Sequence, residues 1–244
     1  MTTLIALAIA FVLDDKDDVA AAAKKLAESK SYSFKGTASQ GRTGGDREPQ
    51  ARPFEGKHEG GVGTLMTTDA QLVVRIGDKT AICPKPVWRV VQPRPEGRPE
   101  GQPRPNPAAG GEGRVRLPHE ELADLGAKLE KAAKAEAKET LGEVECDVYS
   151  FDYTADAAKA MAGPAPGARG GGEAPAREVK AAGRAWIREG VLVKIEIKVT
   201  VSVTLQDRAI ETVVARTISF YDVDATKVEI PEEAKKAIEE AGKK

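Results

Sequence analysis

Two histidines, His58 and His119, and two cysteines, Cys83 and Cys146, are the residues of this 244-residue chain best suited to metal or nucleophilic chemistry. A zinc site needs three or four protein ligands, and these four residues stand apart with no ligand spacing between them. The compact catalytic signatures are missing: there is no H-E-x-x-H, no G-x-S-x-G, no Walker-type glycine loop and no C-x-x-C. Gly60-Gly61-Val62-Gly63 lacks the rest of a dinucleotide fingerprint and reads as a turn. Asp222 and Asp224 form the kind of carboxylate pair that acid–base catalysis uses, but at a strand end ahead of a helix they read as turn residues. His119 falls in the first turn of an expected helix beside two glutamates and should be solvated. His58, in the charged strand Glu55-Gly-Lys-His-Glu59, should be exposed. The expectation is a protein that is not an enzyme and that uses neither metal nor cofactor.

The cysteines leave two readings open. An even count in an exported chain suggests a Cys83–Cys146 disulfide, closing a loop of about sixty residues and worth at most roughly 4 kcal/mol on the entropic account. The alternative is a pair of buried thiols, because Cys146 shares one strand face with Val144 and Val148. Arg216 raises a separate question. It falls on the same strand face as Val214 and Ile218, and a guanidinium among aliphatics must be paired or must reach water along its stem. Either it receives a headgroup or carboxylate at the rim of an apolar site, or it pairs with a glutamate nearby.

The element that must position these residues is the stretch Val191–Leu205, VLVKIEIKVTVSVTL. Val191, Val193, Ile195, Ile197, Val199, Val201, Val203 and Leu205 alternate with polar residues after Leu192, the period-two signature of a strand with one apolar face. Fifteen residues at about 3.3 Å each reach roughly 50 Å, and a strand that long accumulates twist and makes its sheet curl. The expected fold is α+β: a single curled antiparallel sheet, an unclosed half-barrel with helices over its concave face. The return strand Ala209–Tyr221 carries Ile210, Val214, Ile218 and Phe220 at even positions. These meet the odd aliphatics when the loop is two residues, Gln206-Asp207; a slip of one residue would turn them to solvent. The expected apolar pocket is lined by Val193, Ile195, Ile197, Val199 and Val201, with Val214, Ile218 and Phe220 opposite. Ile195, Ile197 and Val199 should lie deepest. Trp186, ahead of a two-residue Glu189-Gly190 turn, should face the same side.

Composition narrows the function classes. The formal charge is −1 with both signs interspersed, so no basic field for nucleic acid is present. Aromatics make up 5%, too few for a platform that stacks bases. The apolar run Leu4–Leu13 is too short to span a bilayer. It resembles the apolar core of a secretory signal over residues 1–13, with Ala8-Ile-Ala10 as a small-residue cleavage site, although no Lys or Arg precedes it. The rest, 14–244, reads as one domain carrying two Pro/Gly-rich insertions, 93–114 and 163–175, that cannot bury enough to offset their ordering entropy. A helix is expected over Asp14–Lys30, with acids leading and lysines trailing, and another over Pro118–Lys134, where Leu122, Leu125, Leu129 and Ala132 recur at helical spacing. That second helix is the expected lid. Short strands are expected around Phe54–His58, Gly63–Thr67, Gln71–Ile76, Lys79–Cys83 and Trp88–Val91. A strand over Val144–Tyr153, a short helix over Thr154–Met161 and a terminal helix opened by Ile230-Pro231-Glu232-Glu233 complete the pattern.

Several short pieces carry a family resemblance. Ala185-Trp186-Ile187 feeds the long hairpin, Phe220-Tyr221-Asp222-Val223 leads to Ile230-Pro231, Ser31-Tyr-Ser-Phe34 follows the first helix, and Gly142-x-Val-x-Cys-x-Val-Tyr-x-Phe151 precedes the hairpin. In this order the chain resembles the LolA/LolB superfamily of periplasmic lipoprotein carriers, and is similar to the mycobacterial LppX/LprG lipid carriers. The resemblance implies an unclosed barrel with acyl chains lying in its cavity, an extracytoplasmic location, and an apolar ligand or lipidated protein as partner for a monomer. The lipid-anchor cysteine of several members has no counterpart here, and no position clearly inherits the carriers' lid-closing arginine. An envelope sensor or interaction module, its sheet filled by its own helices, is the alternative.

Overall fold

The computed structural model describes residues 15–42, 49–83, 88–91, 117–163, 177–205 and 208–241. The apolar run at 1–13, the insertion at 93–114, the loop 206–207 and all of 163–175 except Gly163 lie outside the described residues.

In chain order the elements are α1 (Lys16–Ala27), β1 (Ser31–Arg42), β2 (Arg52–Glu59), β3 (Gly63–Thr68), β4 (Leu72–Ile76), β5 (Lys79–Cys83), β6 (Arg89–Val91), α2 (Pro118–Ala123), α3 (Leu125–Lys128), β7 (Leu129–Lys134), β8 (Glu139–Leu141), β9 (Val144–Tyr153), α4 (Ala155–Ala162), β10 (Arg177–Arg188), β11 (Val191–Leu205), β12 (Arg208–Tyr221) and α5 (Glu232–Ala241). The strands form one unclosed antiparallel sheet in the order β6-β5-β4-β3-β2-β1-β12-β11-β10-β9-β7, with β8 paired to β9 beside that path. Pairing of β1 with β12 joins the two meanders through the centre.

The long hairpin has the register that its alternation requires. Leu205 pairs with Arg208, so Ile195 lies opposite Ile218, Ile197 opposite Arg216 and Val199 opposite Val214. At the other end, Glu189 (φ 52°) and Gly190 (φ 71°) form the two-residue turn between β10 and β11, with the positive φ pair that such turns favour.

The face covered by helices holds the main core. On α1, Val19, Ala22, Ala23 and Leu26 are all buried, and Lys134 N donates to Asp15 Oδ2 (2.6 Å), tying the helix start to the sheet edge. Thr154 caps α4 by accepting from Ala157 N at 3.3 Å. Glycines set opposite phenylalanines let rings lie flat on this face: Phe54 faces Gly36 and Phe151 faces Gly183 in register. A Cβ on Gly183 would come within 2.4 Å of the Phe151 ring and 2.5 Å of Glu196 O. Aromatic cover over a strand glycine makes up for the contact area that the glycine itself lacks. The opposite face carries two smaller clusters. One, with Val74, Ala81 and Val228, packs under α5 through Ala234 and Ile238; the other joins Cys146, Val148 and Trp186.

Three expectations are corrected by the fold. Trp186 and Val193 do not face the concave side, because the β10–β11 register shifts there: Trp186 pairs with Lys194, but Ile187 pairs with Leu192. Val193 is the extra residue of a bulge. It turns outward to pack beside Trp186, while Leu192 turns into the main core. The Pro118–Lys134 segment is not one helix but α2, α3 and then strand β7. The β7–β9 register slips between Leu129 and Lys131, which sets the buried Leu129 and Ala132 three apart and imitates a helical period. Cys83 and Cys146 are both buried and free; they sit on β5 and β9, with seven strands between them in the sheet order. The two-thiol reading is the one the structure holds.

Candidate functional site

Between the centre of the sheet and the short helices lies a cavity of about 30 Å³. Its floor is Ile195, Ile197 and Ile218, and its roof is Pro118, Leu122 and Leu125 of α2 and α3, with Tyr153 and Met161 at one side. The volume is of the order of one water's share of liquid, so the roof is shut down on the floor. Ile195 is 2% exposed and Ile197 9%. Leu117, Leu122 and Leu125 are equally well buried from the helix side.

Two ion pairs stitch the roof to the sheet. Glu121 Oε2 lies 2.6 Å from Arg216 Nη1, with both side chains about one-fifth exposed, 23% and 19%. Arg216 also lies over the Phe54 ring at 5.0 Å. Glu120 Oε1 meets Arg75 Nη1 at 2.6 Å. Arg216 therefore takes the glutamate-paired reading, and the guanidinium joins α2 to β12. A charge pair this far out of water is costly to half-remove, because the group left behind keeps its desolvation penalty without a partner.

The histidines lie together, each half-buried, rather than exposed on separate elements, another correction. His58 of β2 and His119 of α2 stack with ring centroids 4.5 Å apart and planes at 22°. His58 Nδ1 is 2.8 Å from Thr64 Oγ1, and the Tyr32 ring is 5.1 Å from His58 on another side. Burial first, then the nearby His119, lowers the His58 pKa to about 4. His119 is lowered by burial and by Arg75, against an opposing push from Glu120. Burial drives the Tyr32 and Tyr153 hydroxyls well above the usual phenol range. Among the described residues, no group of three or more His, Cys, Asp or Glu side chains converges on a point that could hold a metal. Asp222 (φ 52°) and Asp224 (φ 61°) both occupy turn conformations, and Asp224 Oδ1 accepts from Lys30 N at 2.7 Å.

Of the residues expected to line the pocket, Ile195, Ile197 and Ile218 meet at its floor. Val199 and Phe220 are buried in the same cluster but away from the cavity, Phe220 edge-on to Tyr32 at 5.6 Å. Val201 packs partly buried against that cluster. Val214 is 38% exposed and does not line the cavity, and Trp186 and Val193 lie on the other face. Tyr153, Met161 and Glu121 were not foreseen. Glu121 alone left a signal, since an arginine on an apolar face needs a carboxylate within reach.

No protein-family model matches the chain, and no curated protein does. Among solved structures the chain is similar to LprF from Mycobacterium bovis (12% identity, TM-score 0.48, covering 90% of this chain and 96% of that one). It is also similar to a LolA superfamily protein from Nitrosomonas europaea (8% identity, TM-score 0.34, covering 89% and 96%). A third is a putative outer membrane lipoprotein-sorting protein domain from Vibrio parahaemolyticus (13% identity, TM-score 0.30, covering 91% and 97%).

Proposed function

We propose that this chain is a non-enzymatic, extracytoplasmic carrier or chaperone that takes a lipid, a lipoprotein acyl chain or a similar apolar ligand between its sheet and a movable lid, α2–α3. The observation that carries the reading is the construction of the roof. An aliphatic floor of three isoleucines is covered by two helices of six and four residues, not by a long packed helix. Uncovering Leu117, Leu122 and Leu125 costs on the order of 5–9 kcal/mol at about 1.5–3 kcal/mol per side chain. About ten methylenes at roughly 0.8 kcal/mol each offset that cost, so an acyl chain and the lid compete on nearly equal terms for the floor. The extracytoplasmic setting rests on the apolar run Leu4–Leu13.

A cavity of about 30 Å³ also favours a second reading, an interaction module whose sheet is filled for good by its own helices. Lid chemistry separates the two. Arg216→Met combined with Glu121→Gln removes both charges of the central pair and leaves neither unpaired. After allowance for partial exposure, the loss of holding energy is about 1 kcal/mol, so the association rate of a fluorescent fatty-acid probe should rise several-fold, with the thermal midpoint nearly unchanged. If neither wild type nor the double variant takes up the probe, the filled-module reading stands.

A further inference from the structure

We propose that the stacked pair His58–His119 is a proton-operated latch, in which two neutral rings hold α2 against β2 and protonation releases the lid. The chain has two histidines in all, and they face each other across the seam between roof and sheet at 4.5 Å. Two imidazolium rings cannot occupy that stack without like-charge repulsion across the contact that must stay closed.

The surroundings sharpen the effect. From β1, the Tyr32 ring packs on His58 at 5.1 Å, and burial keeps its hydroxyl neutral. From β3, Thr64 offers His58 Nδ1 a hydroxyl but no charge. On α2, Glu120 beside His119 works against burial by favouring the charged ring, and Arg75 of β4, paired with Glu120 at 2.6 Å, offsets it in part. Glu121 on the same helix is engaged with Arg216. His119 Nδ1 is buried with no hydrogen-bond partner among the described residues, so a proton placed there has nothing to donate to while the lid is shut. Lifting α2 exposes both rings to water, which solvates the charge.

The sign follows from the depressed pKa values. A histidine near 4 in the closed form and near its ordinary value of about 6.5 in the open one binds more protons when open throughout that interval. Its preference for the closed form is complete above about 6.5 and is lost as the pH falls toward 4. For His58 alone, the opening equilibrium rises about tenfold between pH 7.5 and 5.5. His119 adds in the same direction. A carrier so built would keep its floor covered near neutrality and take up its ligand more readily at a more acidic surface.

The proposal rests on α2–α3 being a lid, and its test is independent of any ligand. Amide hydrogen exchange of the full chain is measured at pH 7.5 and 5.5 and corrected for intrinsic exchange, in wild type and in His58→Phe with His119→Phe. The double variant keeps two stacked rings without a titrating site. It also retains Glu120 and Glu121, so any acid response of those ion pairs survives in it. Opening of α2 in wild type should rise about tenfold or more at the lower pH, with β11 and β12 protected as before, and the double variant should lose that rise. Three results overturn the latch: α2 opening unchanged by pH, protection lost equally in α2 and β11, or the full wild-type response persisting in the double variant. If that variant does not fold, His119→Phe alone serves, since it removes the facing charge and should reduce the rise. Fatty-acid probe uptake followed alongside keeps the two readings apart. Acid opening of α2 with no uptake at either pH supports the latch and rejects the carrier. Uptake at both pH values with unchanged α2 exchange rejects the latch and keeps the carrier.

Discussion

Ile195→Asp is expected to lose most of the folded protein's stability, whereas Ile197→Asp should fold with its lid loosened. The two positions sit one strand repeat apart on the same floor, yet their partners differ. Ile195 pairs across the strand with Ile218, so a carboxylate there faces an isoleucine and not a cation across the strand. It must either ionise in a dry site or stay protonated, at about 4 kcal/mol for a shift of roughly 3 pKa units. The lost isoleucine packing adds about 2 kcal/mol or more, against a total stability of about 5–15 kcal/mol for a typical domain. Ile197 lies directly opposite Arg216. A carboxylate there finds a guanidinium at hand and competes with Glu121 for it, which weakens the tie between β12 and α2. Urea unfolding should give a midpoint for Ile195→Asp well below that of Ile197→Asp. Equal losses would mean that Arg216 cannot reach position 197 and that the central ion pair is rigid.

Trp186→Ala is expected to cost about 3–5 kcal/mol and to leave ligand affinity at the wild-type value. The indole is 2% exposed, its Nε1 donates to Glu139 Oε2 at 2.8 Å, and Lys194 and Arg184 lie over its ring at 4.1 and 4.8 Å. All of these contacts are on the face away from the lid, where β8 folds beside β9. Melting and probe titration of the same variant separate the effects. A large fall in affinity, beyond what lowered stability explains, would place the tryptophan in communication with the floor and contradict the two-faced arrangement.

These residues also show how far the fold was legible in the chain. Strict alternation from Ile195 to Val203 specified face and register together, because a one-residue slip would have exposed every aliphatic group. The two-residue turn before β11 was legible from Glu189-Gly190. The bulge at Val193 was not. Alternation runs unbroken through Val191 and Val193, and only the pairing partner reveals that Leu192 is the buried residue. The β7 segment failed for the converse reason: a register slip against β9 spaced Leu129 and Ala132 as a helix would. Both errors come from cross-strand geometry, which is non-local and leaves no mark in a single strand's pattern.

The site was half visible. Its floor follows from the long strand, and Arg216 on an apolar face left two readings open, a bound headgroup or a nearby glutamate, of which the structure holds the second. The roof was looked for in the right segment but in the wrong form: Pro118–Lys134 read as one helix, whereas only α2 and α3 cover the floor and Leu129 and Ala132 belong to β7. The histidine stack was invisible. Each ring taken alone, His58 in a charged strand and His119 beside two glutamates, reads as a surface residue. Only the docking of α2 on β2 buries them against each other.

As a carrier, the protein exchanges the helical roof over its isoleucine floor for an apolar ligand. Native mass spectrometry of the full chain, isolated from its own cells and again after incubation with a long-chain fatty acid, tests it most directly. A species carrying one bound acyl-chain ligand per protein chain is expected, depleted in Ile195→Ser, which roughens the floor with less damage than a carboxylate. Only the unliganded mass in both preparations of wild type would contradict it.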